Sequence, residues 1–172
     1  MKNYISKYQS ITTTWTDFFN QKQIATTIGN MNATDLDKFI TAQEHDYAGA
    51  LAEIRRGRKQ GHWIWYVFPQ IKGLGMSGTS VHYAIQDIGQ ANRYLQNLVL
   101  GKRLIEISNA ILAIEGKSAN QIVGSPDDMK LRSSMTLFSM TDDADPVFQA
   151  VLDKYFDGKP DQRTIEILNK QH

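Results

Sequence analysis

The sequence predicts an all-α fold, a compact single-domain array of six or seven helices. Three observations carry that expectation. Apolar residues recur at helical spacing in segment after segment, and no segment alternates for long enough to read as a strand. Cap residues, prolines at first helical positions and glycines just past last turns bracket those segments repeatedly. Finally, 41% hydrophobic and 22% charged residues over a length of 172 suit one domain with a substantial core.

Residues 1–33 are polar and rich in Thr, Asn and Gln, with Trp15, Phe18 and Phe19 as their one cluster of large apolar groups. They read as an N-terminal extension, which places the helical domain at 34–172. The first helix follows, with Thr34 as its cap and with Asp35 and Asp37 complementing the positive end. Leu36, Phe39, Ile40, Tyr47, Leu51 and Ile54 fall near one face, Arg55 and Arg56 suit the last turn, and Gly57 suits the left-handed position that ends a helix. "DIGQANRYLQN" starts a helix at Asp87. "LVLGKRLIEISNAILAIEG" spaces Leu100, Leu104, Ile111 and Ile114 nearly as a heptad and ends at Gly116. "SANQIVG" makes a short helical turn. "SPDDMKLRSSMTLFSM" pairs Ser125 as cap with Pro126 as first helical residue. "DPVFQAVLDKYFDG" repeats the pairing with Asp145 and Pro146 and closes at Gly158. "DQRTIEILNK" forms the last helix.

Composition excludes several classes of function. Nineteen Lys+Arg stand against eighteen Asp+Glu, a balance that argues against nucleic acid or a membrane surface as partner. With no cysteine there are no disulfides, thiolate zinc sites, iron–sulfur clusters or cysteine nucleophiles. No signal-peptide core and no membrane-length apolar run is present, so a cytoplasmic location is the expectation.

The stretch "HWIWYVFPQIKGLGMSGTS", residues 62–80, is the ambiguous one. Residues 63–69 are continuously apolar, and periodicity does not separate a buried strand from a buried helix there. Helices on both flanks favour one or two helical turns ended before Pro69.

"DLDKFITAQEHDYAGALAEIRRGRKQGHWIWYVFPQIKGLGMSGTSVHYAI" resembles the opening signature of the family catalogued as domain of unknown function 1810, and "YLQNLVLGKRLIE" and "SPDDMKLRSSMTLF" resemble its later blocks. The resemblance covers roughly residues 35 to 168. It implies a compact, mainly helical domain and supplies no activity, cofactor or catalytic residue.

Candidate site residues come from the residues themselves. In "RRGRK", the Arg58 guanidinium could grip a phosphate bidentately, or the run could simply neutralise a helix end. His62, beside the aromatics, is the first residue to suspect of proton transfer, with a structural histidine as the plainer alternative. Trp63 and Trp65 could form a stacking wall or belong to the core. "QIKGLGMSGTS" is not a dinucleotide fingerprint. Its glycines with Gln70, Lys72, Ser77, Thr79 and Ser80 could still form an anion nest ahead of a helix starting near Ser80, or a plain loop capped by Ser80. In the helix after Pro126, Leu131, Met135 and Phe138 mark one apolar face and Met129, Leu137 and Met140 another. Arg132 between them should be buried, held either by Asp128, Glu106 or Glu53 or by a bound anion, with Ser133 and Ser134 beside it. No histidine spacing suits a metal, and no cofactor motif is present. The leading expectation is therefore a pocket for an anionic, phosphorylated or nucleotide-like ligand. The alternative is a helical interaction module without chemistry.

Overall fold

A computed structural model describes residues 35–171. The chain divides into two units, residues 1–37 and 38–172. Of the first, the described part is residues 35–37, the opening turn of a helix. The expectations about Trp15, Phe18, Phe19, Thr34 and the extension fall outside the described residues.

Among the described residues there are nine helices, six of them seven residues or longer, and no strand. They are α1 (35–55), α2 (Ile64–Val67), α3 (Gly78–His82), α4 (Ile88–Gln96), α5 (Leu100–Leu112), α6 (Ala119–Val123), α7 (Asp127–Ser139), α8 (Pro146–Phe156) and α9 (Gln162–Asn169). None is long and apolar enough to cross a membrane.

Local chemistry sets most of the boundaries. Asp87, Ser118, Asp145 and Asp161 each accept the first free amides of α4, α6, α8 and α9. Pro146 takes the first turn of α8, where its missing N–H costs nothing. Gly57, at φ +74°, turns the chain out of α1. Four expected boundaries move. Pro126 precedes α7 instead of opening it, and Ser125 makes no cap; Asp127 and Asp128 hold the first turn, with Asp128 accepting from the Met129 amide at 2.9 Å. Helix α5 ends at Leu112, short of Gly116. Asp157 takes the left-handed position after α8, one residue before Gly158. Ser80 lies inside α3, whose cap is Ser77.

The core runs through an aromatic ladder in the second unit. Phe39 meets Tyr94 edge-on at 5.2 Å, Tyr94 meets Phe138 at 5.3 Å, and Phe138 meets Phe148 at 5.8 Å. The four rings tie α1, α4, α7 and α8 together, and burial of each contributes about 1.5–3 kcal/mol. Helices α5 and α7 pack on α8. Helix α4 meets α5 across Gly101, where any Cβ would lie inside the van der Waals shell of the Leu95 carbonyl oxygen. Helix α7 is not apolar on two sides as expected: Met129 and Met140 are exposed, while Leu137 joins Leu131, Met135 and Phe138 in the core.

One piece of extended backbone shapes the region between α2 and α4. Ile71 and Ile85 form an isolated parallel bridge, with Lys72 N–H donating to Ile85 at 2.8 Å and Ile85 N–H to Gln70 at 2.9 Å. Residues 72–84 loop out from its base and carry α3 at their far end.

Candidate functional site

A cleft of about 330 Å³ opens where the 70–80 loop faces the first turns of α7 and α9, with Trp65 of α2 in its wall. A more open groove of about 760 Å³ lies between the end of α1 and α5. The smaller cleft is the better candidate site because converging polar groups line it from four separate elements.

The cleft is built on a row of alternating charges. Asp127 in the first turn of α7 is shared between two ammonium groups, Lys59 at 2.7 Å on one oxygen and Lys130 at 2.7 Å on the other. All three side chains are largely withdrawn from water, at 10%, 14% and 19% exposure for Lys59, Asp127 and Lys130. Burial opposes the charged carboxylate, but hydrogen bonds and attraction from the two lysines outweigh it and hold Asp127 below the usual carboxylate range. Lys59 also donates to Gly61 O at 2.6 Å and lies over the Trp63 ring at 5.4 Å.

Behind Lys59, Glu53 clamps the chain that follows α1. It accepts from Gln60 N at 2.8 Å, from Gly61 N at 2.9 Å and from the Trp63 indole at 2.8 Å. Its burial is likewise outweighed by these donors and by Lys59, so its acidity is increased.

Lys130 brings this row to the cleft wall. One N–H is spent on Asp127, and the ammonium lies 4.4 Å from the Trp65 ring centroid. An ammonium has three donors, so capacity remains for a ligand. From α9 the cleft is lined by Arg163, exposed and without a side-chain partner among the described residues. Asp161 is present too, but its Oδ2 already caps α9 through the Thr164 amide at 2.9 Å and hydroxyl at 2.7 Å. Ser77 and Ser80 bond to each other at 2.9 Å, and Ser133 donates back to Met129 O at 2.9 Å. Leu74, Met76 and Met129 form an apolar rim, with Met76 95% and Met129 67% exposed.

The fold thus brings together Trp65, Gln70, Ser77, Ser80 and Ser133 of the residues singled out from sequence, and adds Lys130, Asp161 and Arg163. It places five others elsewhere. Trp63 is 3% exposed and packs in the core at 6.3 Å from Phe68. Arg58, His62 and Lys72 are exposed and do not line the cleft. Arg132 is neither buried against a carboxylate nor aimed at the cleft. Its Nε donates to Lys159 O at 2.9 Å and its terminal nitrogen to Pro160 O at 3.1 Å, with the guanidinium 5.9 Å from the Phe156 ring. The reason is the helix face: Met129 and Met140 are exposed, so Arg132 meets the loop before α9. Among the described residues no group of three His, Asp or Glu side chains is placed to hold a metal.

The family described as protein of unknown function DUF1810 matches residues 33–168. The chain belongs to the DUF1810 family. A solved structure, the conserved hypothetical protein Rv1873 from Mycobacterium tuberculosis at 1.38 Å, is 46% identical to it, with a TM-score of 0.77. That match covers 78% of this chain and 96% of the other. No curated protein matches. The DUF1810 region therefore contains the whole cleft, from Trp65 to Arg163, together with the clamp at Glu53 and the charge row behind it.

Proposed function

We propose that the chain binds a small anionic ligand, a phosphorylated metabolite or nucleotide fragment, in the cleft between the 70–80 loop, α7 and α9. The observation that carries this reading is the position of Lys130. Its ammonium is packed against Trp65 and anchored on a carboxylate it must share, and it lines the same cleft as the unpartnered Arg163 of α9. One cation held in place on α7 and one free to swing from α9 can close on a single anion. The hydroxyls of Ser77, Ser80 and Ser133 already donate within the protein, to Ser80 Oγ, Ser77 O and Met129 O, so the donors for an anion are the two cations, and the starts of α7 and α9 both border the space. A volume near 330 Å³ is at the small end for ligand pockets, which favours a compact metabolite over a dinucleotide. The Trp65 face carries Lys130, so any ring of the ligand rests on Leu74, Met76 and Met129 instead.

A thermal-shift screen with phosphorylated metabolites tests the reading. A ligand at 100 times its Kd adds about 2.7 kcal/mol to stability. Arg163→Ala, at an exposed position, should leave the unliganded melting temperature unchanged and abolish the shift. A hit whose shift survives in Arg163→Ala sinks the proposed clamp. The methionines at the mouth support a second reading, in which a protein surface covers the cleft and no small ligand enters. A screen without hits, combined with self-association that Met76→Glu abolishes, would favour it.

A further inference from the structure

The other groove has a different character. Its floor is Ala110 at the end of α5 with Ala113 and Ile114 just beyond it, and its edges are the end of α1 and Lys117. The one carboxylate in the wall, Glu106, is engaged on both oxygens: Tyr47 donates to one at 2.8 Å and Arg55 reaches the other at 3.4 Å. Lys117 is tied by one donor to Gly57 O at 2.9 Å, which leaves two of its three N–H groups for solvent. The Arg56 side chain is exposed and has no partner among the described residues, and neighbouring Arg58 is in the same state. The groove thus presents surplus positive charge over an apolar floor, with its acid already satisfied from the protein side.

We propose that this groove docks an acidic peptide segment of a partner protein, with carboxylates on Arg56 and Lys117 and an aliphatic side chain against Ala110 and Ile114. Charge complementarity selects the class. An opening of about 760 Å³, more than twice the volume of the cleft, suits a stretch of chain better than an isolated ion. A nucleic-acid backbone fits less well, because Glu106 sits in the wall and the protein carries a net charge of only +1, without the basic stripe such partners need. The site is separate from the cleft, so the two proposals stand or fall independently.

Fluorescence anisotropy decides it, using the full chain and a labelled peptide with a Glu-Leu-Glu core between Gly-Ser arms. Binding should weaken steeply as salt is raised. Arg56→Glu should lower affinity about tenfold through charge reversal at the contact. Ala113→Glu, on the exposed part of the floor, should do the same with the melting temperature unchanged. Three results would each overturn the proposal: a Lys-Leu-Lys peptide that binds as well, affinity unaltered in both folded variants, or a single-stranded oligonucleotide that binds more tightly than the acidic peptide. Inorganic phosphate that competes without any peptide binding would reduce the groove to an anion patch and would also refute it.

Discussion

Replacing Asp127 by asparagine should be among the most destabilising isosteric changes in the domain. The side chain keeps its shape, but two ammonium groups at 2.7 Å lose their shared counter-charge. At 10–19% exposure water recovers little of that loss, and breaking a buried pair from one side costs roughly 3–5 kcal/mol. Loss of an anion from the first turn of α7 adds about 0.3–1 kcal/mol. Residual solvation and one surviving amide acceptor offset part of this, so about 3 kcal/mol is expected. For a chain of this length that corresponds to a fall of about 10 °C in Tm. Urea unfolding of the native protein and of Asp127→Asn measures the difference directly. The double variant Asp127→Asn/Lys130→Met provides the decisive sign: with one stranded ammonium removed it should be more stable than Asp127→Asn alone. The pH dependence follows from the lowered pKa of Asp127. Its contribution is fully present above the unfolded value of about 3.9 and disappears as pH falls through the lower folded value. The gap between native protein and variant should therefore be constant near neutrality and close only below about pH 4. A loss under about 1 kcal/mol, or a double variant weaker than the single one, would show that the lysines do not depend on this carboxylate.

Glu53→Gln should cost about 2–3 kcal/mol, since an amide cannot accept from Gln60, Gly61 and the buried Trp63 indole together; tryptophan fluorescence should shift as that indole loses its partner, and an unchanged spectrum and Tm would refute the clamp. Gly101→Ala should abolish cooperative unfolding or lower Tm by more than any surface variant, because the new methyl overlaps the Leu95 carbonyl; thermal melts by circular dichroism check it. Arg132→Met should cost only about 1 kcal/mol, the worth of its bonds to the Lys159 and Pro160 carbonyls at an exposed site, and a loss of several kcal/mol in urea unfolding would point to a buried partner instead.

What was legible in the sequence was local. Asp145 with Pro146, Asp87 as a cap and Gly57 as a terminator act within a few residues of themselves, and the structure bears them out. The single helical turn before Pro69 was reachable by exclusion. The failures have different causes. Ser77 and Ser80 are both good caps three residues apart, and only the path of the loop back toward Ile85 decides between them. The two-faced reading of α7 failed because Met129 and Met140 are exposed, and an apolar residue type does not by itself require burial. The cleft was half visible. Trp65, Gln70, Ser77, Ser80 and Ser133 stood out as residue types, whereas Arg163 and Lys130 looked like ordinary surface cations. Nothing within a dozen residues indicates that Lys130 meets Lys59 across Asp127, because that meeting depends on how α7 packs against the chain after α1. The clamp on Trp63 had a detectable signal, since a buried indole N–H needs an acceptor, and Glu53 was already a candidate partner for a different cation.

The bridge between Ile71 and Ile85 separates the lifetime of the loop's base from that of its tip. The amides of Lys72 and Ile85 are bonded to backbone between two fully buried isoleucines, so they should exchange with solvent deuterium only when the domain opens. The amides of Gly73 to Gly78 lie beyond that base and should exchange within local fluctuations. Because closure entropy grows only slowly with loop length, residues added around Met76 would be accommodated without reaching the core. One wall of the cleft can therefore change length and composition over evolutionary time while the wall contributed by α7 stays fixed by Asp127.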